Sequence, residues 1–464
     1  MRVNIPLIGP TYTNRSVQVG NQHTQNFYIE ANQQGEAAAL MPFPGLSLFA
    51  TAGSSQARGM AIYNDSLYTV NGNLLYKIAL NGTVSTVGTI AGGGNVVMVS
   101  DGTNLIITTG FSKPYKYDGT TLTQGTDADL PNASTVTHMN QRVIYDQADG
   151  IAFANLDDPL VVNSANVLLT NTRADSLQAV ISFKQQIFAF GTDTIEPSYF
   201  TGTGTPPYAR VNNGVQEIGT SSPYSIATNK DFIYFLGTDR RVYRMQGFNS
   251  QPIDNPAIGQ ALQEYSDVSD AYGRCMSFDG QNWYLLSFPT ANRTWLFNEG
   301  SGLWTSLAYG TDDSQHLIHD YVYIYDKHLV TDRRNGNIYE LGFDSFTDNG
   351  DVIQRQRVTQ NIDSRILGGE PGKMLYMNRL ELEFETGVSE VTSEATIIMQ
   401  YSDDDGRSWS QEQWASIGTQ GDYTKRVQWF GFERFYKRKF RFTMTDPVKW
   451  VFIRLIADVE VGLD

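Results

Sequence analysis

Few residues of this chain stand at spacings that chemistry requires. The most distinctive run is Ser402-Asp-Asp-Asp-Gly-Arg-Ser-Trp409, which fits the Asp-box pattern Ser-x-Asp-x-Gly-x-Ser/Thr-Trp. Its physics is that of a hairpin turn: carboxylates accept from turn amides, the glycine takes a positive φ, and the tryptophan packs beneath. Ser402, Asp404, Gly406 and Trp409 are therefore expected to form a structural turn. Consecutive acids also invite calcium, but the run lacks the spaced ligands and closing glutamate of an EF-hand loop.

The histidines are His23, His138, His316, His319 and His328. On a helix, His316 and His319 would share a metal, with Asp312, Asp313 and Asp320 nearby. Their flanks read as loop and strand, and no further His or Cys follows at ligand spacing, so a structural role is expected. The lone cysteine, Cys275, lies in an apolar strand and reads as a core thiol rather than a nucleophile. No Gly-x-Ser-x-Gly elbow or Walker loop appears, and Gly92-Gly-Gly94 and Gly202-Thr-Gly204 lack a strand-glycine-helix context. The basic run Arg434-Phe-Tyr-Lys-Arg-Lys-Phe-Arg441 alternates so that Phe440 and Phe442 face inward. Its outward charges suit an acidic partner surface better than nucleic acid. No catalytic residue, cofactor or metal is expected.

The elements that hold these residues read as strands. Hydrophobic residues make up 41% of 464, with 25 Tyr, 24 Phe and 42 Gly, a composition of strands and tight turns. The net charge of -15 disfavours binding to a phosphate backbone; in most proteins such a balance serves solubility alone, and it is also compatible with a passage that DNA crosses without sticking. A single cysteine excludes an intramolecular disulfide, so folding in a reducing cytoplasm is expected. The start is too short and broken for a signal peptide, and no apolar run is long enough for a membrane-spanning helix.

One phrase recurs along the chain: an apolar strand, a polar turn, a second apolar strand, a turn, then a strand bearing Tyr or Phe. It is plainest in residues 61–80, where Asn71-Gly72 supplies a strong hairpin signal. The second strands begin near Leu67, Leu105, Val143, Ile187, Ile233, Trp283 and Leu329. Their spacing of roughly 40–50 residues is that of a four-stranded propeller blade, which predicts an all-β propeller of about seven blades. The third unit is the least regular, which leaves six or eight blades open. Ile258 to Tyr265, preceded by Pro256, reads as a short helix between the fifth and sixth units.

Four regions are expected. Residues 1–50 form an arm or a blade-closing segment, 51–345 the propeller, 346–372 a linker, and 373–464 a C-terminal β-sandwich. Strict alternation in Leu380-Glu-Leu-Glu-Phe-Glu385 marks the change of texture.

The chain resembles the packaged-DNA stabilisation proteins, or tail accessory factors, of short-tailed bacteriophages. The resemblance is dispersed over nearly the whole chain. It rests on Asn26-Phe-Tyr-Ile-Glu30 with Phe43-Pro-Gly45, Gly72-Asn-Leu-Leu-Tyr-Lys77, Phe190-Gly-Thr-Asp-Thr-Ile-Glu196, Tyr199-Phe-Thr-Gly202 and the region 258–271. Further stations are Ser402 to Trp409, Lys425-Arg-Val-Gln-Trp429 and residues 440–455. It implies a virion protein assembled as a hexameric ring below the portal adaptor. Such a ring extends the DNA channel as a nozzle, retains packaged DNA, and docks the tail needle and tailspikes or fibres. It implies no catalytic residues. The Asp box, known from sialidase-type propellers, leaves a carbohydrate-binding or glycosidase-like propeller as the alternative. A receptor-binding tail fibre component is a second one.

Overall fold

The computed structural model describes residues 1–12, 21–31, 37–170, 175–367, 369–385, 394–418 and 425–462. Among these, short apolar strands joined by tight turns fold into seven antiparallel four-stranded meanders. Blades 1 to 6 span 57–89, 97–124, 136–169, 177–210, 227–252 and 272–309. Blade 7 takes its first three strands from 318–342 and its outermost from Gly45–Thr51, which pairs antiparallel with Asn337–Gly342. That strand closes the ring non-covalently. The seven blades match the seven repeats read from the sequence. Each predicted second strand is the second strand of a blade.

The first strands of successive blades face each other around a central shaft. Five of the turns that follow them hold two consecutive residues at positive φ: Asn64-Asp65, Asn140-Gln141, Lys184-Gln185, Asp279-Gly280 and Tyr325-Asp326. Such turns match the right-handed strand twist, and they keep one face of the ring short. The opposite face carries the longer connections between blades. One of these is the helix Pro256–Glu264, where the Asn255 side chain accepts from the Ala257 and Ile258 amides at 3.0 Å each and buries Ala257, Ile258 and Leu262. The apolar core is divided among the interfaces between blades, as radial packing requires.

Two sheets stack into the sandwich. One runs, in spatial order, Phe27–Ala31, Ala37–Pro42, Phe452–Val461, Leu375–Phe384 and Val427–Phe430, with Arg2–Ile5 on Phe452–Val461. The other runs His23–Gln25, Arg355–Val358, Lys437–Met444, Thr396–Ser402 and Gln413–Ser416. Phe27, Leu380, Phe440, Phe442, Trp450 and Phe452 are fully buried between them. Parallel pairing of Gln25 with Ser306 makes the second sheet continuous with the outer edge of blade 6.

Gly45–Thr51 is the blade-closing strand expected of residues 1–50, and two segments carry strands beyond those expected. Residues 1–50 supply strands to the sandwich as well as the closing strand of blade 7. The stretch read as a linker carries Arg355–Val358 and Ile362–Asp363, both paired with Lys437–Met444. Its strand signal was hidden because the inward positions are arginines: Arg355 and Arg357 are 1% and 0% exposed. Only one residue of that stretch, Gly368, lies outside the described residues.

Among the described residues no carboxylate forms an ion pair with Arg357, which is held by the N-terminal segment. It donates to the Leu7 carbonyl at 2.6 Å, Thr24 Oγ1 at 2.8 Å and Gln22 Oε1 at 2.7 Å. Lys439, also buried, donates to the Asn21 carbonyl at 2.7 Å. The N-terminal segment is thus riveted to the sandwich by buried cations before it crosses to the propeller.

Candidate functional site

The Asp box forms a turn between Thr396–Ser402 and Gln413–Ser416, strands paired with each other. Ser402 donates to Asp404 Oδ1 at 2.7 Å, and its hydroxyl oxygen accepts from the Gly406 amide at 2.8 Å. Asp404 accepts from the Ser408 amide at 2.9 Å and the Ser408 hydroxyl at 2.6 Å. These bonds, led by those from Ser408, hold the Asp404 carboxyl well below the usual carboxylate range. Asp405 and Gly406 have φ of 67° and 92°, the left-handed geometry such a turn demands. Trp409 is half-buried and lies under the Arg441 guanidinium, 4.2 Å from its ring centroid.

All three acids of the box are engaged. Asp403 receives both ends of the Arg438 fork at 2.7 Å, while Arg438 lies between the rings of Tyr401 and Phe435. Asp405 accepts from Lys437 at 2.5 Å and Asn361 at 2.9 Å. The basic run expected to face a partner is largely taken up inside the sandwich: Lys437, Arg438, Lys439 and Arg441 all bond within the chain. Sequence alternation found the inward phenylalanines but not these pairings, because the acids lie more than thirty positions earlier.

His316 and His319 are both buried in the approach to blade 7 and do not gather a metal site. No group of His, Cys, Asp and Glu among the described residues has metal-binding geometry. His319 Nε2 lies 3.0 Å from Asn95 Oδ1, and its ring sits against Tyr272. His316 meets Phe43 edge-on. Burial lowers the two imidazoles to about 3 and about 4 respectively. His23 bridges toward Gln25 and Ser306, and His328 toward Tyr321, while His138 lies in the first strand of blade 3. Cys275 is half-buried, cross-strand from Tyr284, and burial pushes its thiol up.

The shaft holds two of the cavities found among the described residues. Met60, Met98, Val136, Ile181 and Ile226 line a cavity of about 180 Å³ within it. Arg274 and Asp320 form an ion pair there at 2.7 Å, and Asp320 also accepts from the Met60 amide at 3.0 Å. Above it, at the face with the longer connections, a cavity of about 400 Å³ is lined by Arg58, Asn95, Tyr224, Asp270, His319 and Arg333 among others. Among the described residues that line the mouth, Asp270 is the one carboxylate. Sequence reasoning missed the mouth because its residues come from three blades and the connections between blades.

Two family models match the chain. One, described as the β-propeller of bacteriophage P22 Gp10 in a phage stabilisation family, matches residues 3–346. The other, described as the β-sandwich of bacteriophage P22 Gp10, matches residues 362–460. No curated protein matches. Among solved structures, one similar chain is the extracellular domain of the putative hybrid two component system BT4673 from B. thetaiotaomicron. Its identity is 11%, with 72% of this chain and 44% of that one covered, at a TM-score of 0.44. This chain thus spans less than half the length of that structure. Another is the Neurospora crassa Pan2 WD40 domain, at 9% identity, 65% and 97% coverage and a TM-score of 0.43. A third is YCF48 bound to D1 peptide, at 10% identity, 68% and 97% coverage and a TM-score of 0.42. The two family models together take in both the propeller and the sandwich, and the chain belongs to the family of bacteriophage P22 Gp10, a phage stabilisation family of tail structural proteins.

Proposed function

We propose that the protein forms a hexameric nozzle ring below the portal-adaptor complex of a short phage tail. In this reading the ring closes and extends the DNA channel, retains the packaged genome, and docks the needle and the tailspikes or fibres. The observation that carries it is the pair of family matches over residues 3–346 and 362–460.

Three physical features support it. The shaft cavities of about 180 and 400 Å³ are sized for small molecules, not a duplex, so the passage for DNA lies between subunits rather than through a propeller. Identical subunits with head-to-tail contacts close such a ring. The acidic excess over basic residues gives the wall of that passage a charge that repels phosphate and lets DNA slide. The sandwich, sharing a sheet with blade 6, gives a stiff two-part wall. Within this reading the chain divides into an N-terminal segment, a propeller to about residue 345 and a C-terminal sandwich, and the Asp box serves as a structural turn of the sandwich.

Particles assembled without the protein test this directly. They are expected to package DNA and then lose it. Particles that keep their genome without the protein overturn the retention role.

A further inference from the structure

The geometry points to an anion-binding site at the mouth of the propeller shaft, which takes a small organic anion carrying a carboxylate or phosphate group. The mouth concentrates positive charge in an otherwise acidic chain. Arg58, 3% exposed, donates from Nε to the Gly94 carbonyl at 2.7 Å and from Nη1 to the Gly72 carbonyl at 2.8 Å. Its Nη2 has no hydrogen-bond partner. Arg333 donates to the carbonyls of His316 and Gln315 at 3.1 Å each. Both guanidiniums are thus positioned by neutral backbone oxygens, which fix their orientation and leave their charge uncompensated.

The unmet hydrogen bonds converge on the same cavity. The Arg58 Nη2 calls for an acceptor, while the buried His319, whose Nε2–H faces Asn95 Oδ1, leaves an unpartnered Nδ1 lone pair that calls for a donor such as a ligand hydroxyl. Buried polar atoms without partners are rare in folded proteins and mark where a ligand or ordered water completes the network. The Asn95 amide and Tyr224 hydroxyl add groups suited to a ligand's oxygens. The cavity of about 400 Å³ lies in the size range of small-ligand sites. The charge that opposes an anion is that of Asp270, which accepts from the Thr290 amide at 2.6 Å and has an unpartnered Oδ1. A bound anion would bridge blades 1, 6 and 7, whose residues surround it.

Calorimetric titration of the purified full-length chain with inorganic phosphate and, separately, with glucuronate tests the site. Saturable binding of either probe, with one site per chain and a raised melting temperature, is expected. Phosphate alone assigns a phosphate ligand and glucuronate alone a carboxylate, and both support the anion site. Arg333→Gln should weaken binding roughly tenfold, as loss of a charged donor does. Asp270→Asn should tighten it on the order of 3–10-fold by removing a like charge. The second variant makes the test independent of whether Arg333→Gln folds, since a merely structural role for Asp270 gives no tighter binding. Absence of binding by both probes at about 10 mM overturns the proposal. So does binding that Asp270→Asn leaves unchanged or weakens.

Discussion

Replacing Arg357 by methionine tests how the N-terminal segment is held. The methionine fills most of the volume but donates nothing. Three acceptors at 2.6–2.8 Å then lose their partner: the Leu7 carbonyl, Gln22 Oε1 and Thr24 Oγ1. Longer contacts to the carbonyls of Pro10 and His23, at 3.4 Å each, contribute little. Each acceptor left unmet costs about 1–3 kcal/mol, which places the loss for three at roughly 3–9 kcal/mol, nearer the lower end because Gln22 is only half-buried. Two terms pull this down. Burial already lowers the guanidinium to about 9, so removing the charge relieves a desolvation penalty. Thr24 Oγ1 also keeps a donor role toward the Gly9 carbonyl at 2.7 Å. The net expectation is about 2–4 kcal/mol. Arg357→Lys keeps the charge but reaches fewer acceptors, so it should fall between the methionine variant and the parent. Urea unfolding gives the magnitude, and amide exchange gives the place: protection should drop first in residues 7–12 and 21–31, before the blades. A methionine variant as stable as the parent, with that segment still protected, would refute the idea that the buried cation is the rivet.

Other outcomes follow from the same geometry. Leu46→Asp, at a position 1% exposed in the closing strand, should cost more than about 4 kcal/mol and make blade 7 the first site of limited proteolysis. Arg438→Met removes a fork bound to Asp403 and two ring contacts, but Asp403 is 47% exposed and rehydrates, so about 1–3 kcal/mol in thermal unfolding is expected. His316 and His319 are held neutral by burial, with folded values of about 3 and about 4, so the unfolded chain binds more protons below the ordinary imidazole value. Their contribution is complete above about pH 6.5 and is lost as the pH falls toward 4. The carboxyls of Asp348, pushed up to about 7 by burial, and of Asp146, also pushed up by burial, act in the opposite sense, while His23 and His328, lowered by burial, add to the histidine side. A urea midpoint that falls on acidification, with a shallower slope in His316→Gln, is the predicted result. An unchanged slope in that variant contradicts it.

The propeller was legible because its blades repeat a strand-and-turn phrase whose period survives in the residues. Asn71-Gly72 and the second strands from Leu67 to Leu329 could be placed without a structure. Positive-φ pairs such as Lys184-Gln185 and Tyr325-Asp326 carry no turn signature of their own and are imposed by the strands they join. Arg355–Val358 reads as a linker in the sequence because the usual meaning of alternation is reversed: its inward side chains are charged, and the acceptors that Arg357 Nε and Arg355 Nη2 reach lie more than three hundred positions away. The Asp box was recognised from local turn chemistry, but its tie to Arg438 and Lys437 depends on pairing between distant strands. The mouth of the shaft is assembled by ring closure itself, so no local window of the sequence contains it.

An averaged electron-microscopy map of assembled virions, with this protein labelled, tests the central claim most directly. The account predicts a closed ring of propellers and sandwiches below the portal adaptor, with a net negative surface facing the DNA. Label elsewhere on the particle, or a ring whose lumen is lined with lysine and arginine gripping the duplex, would contradict it.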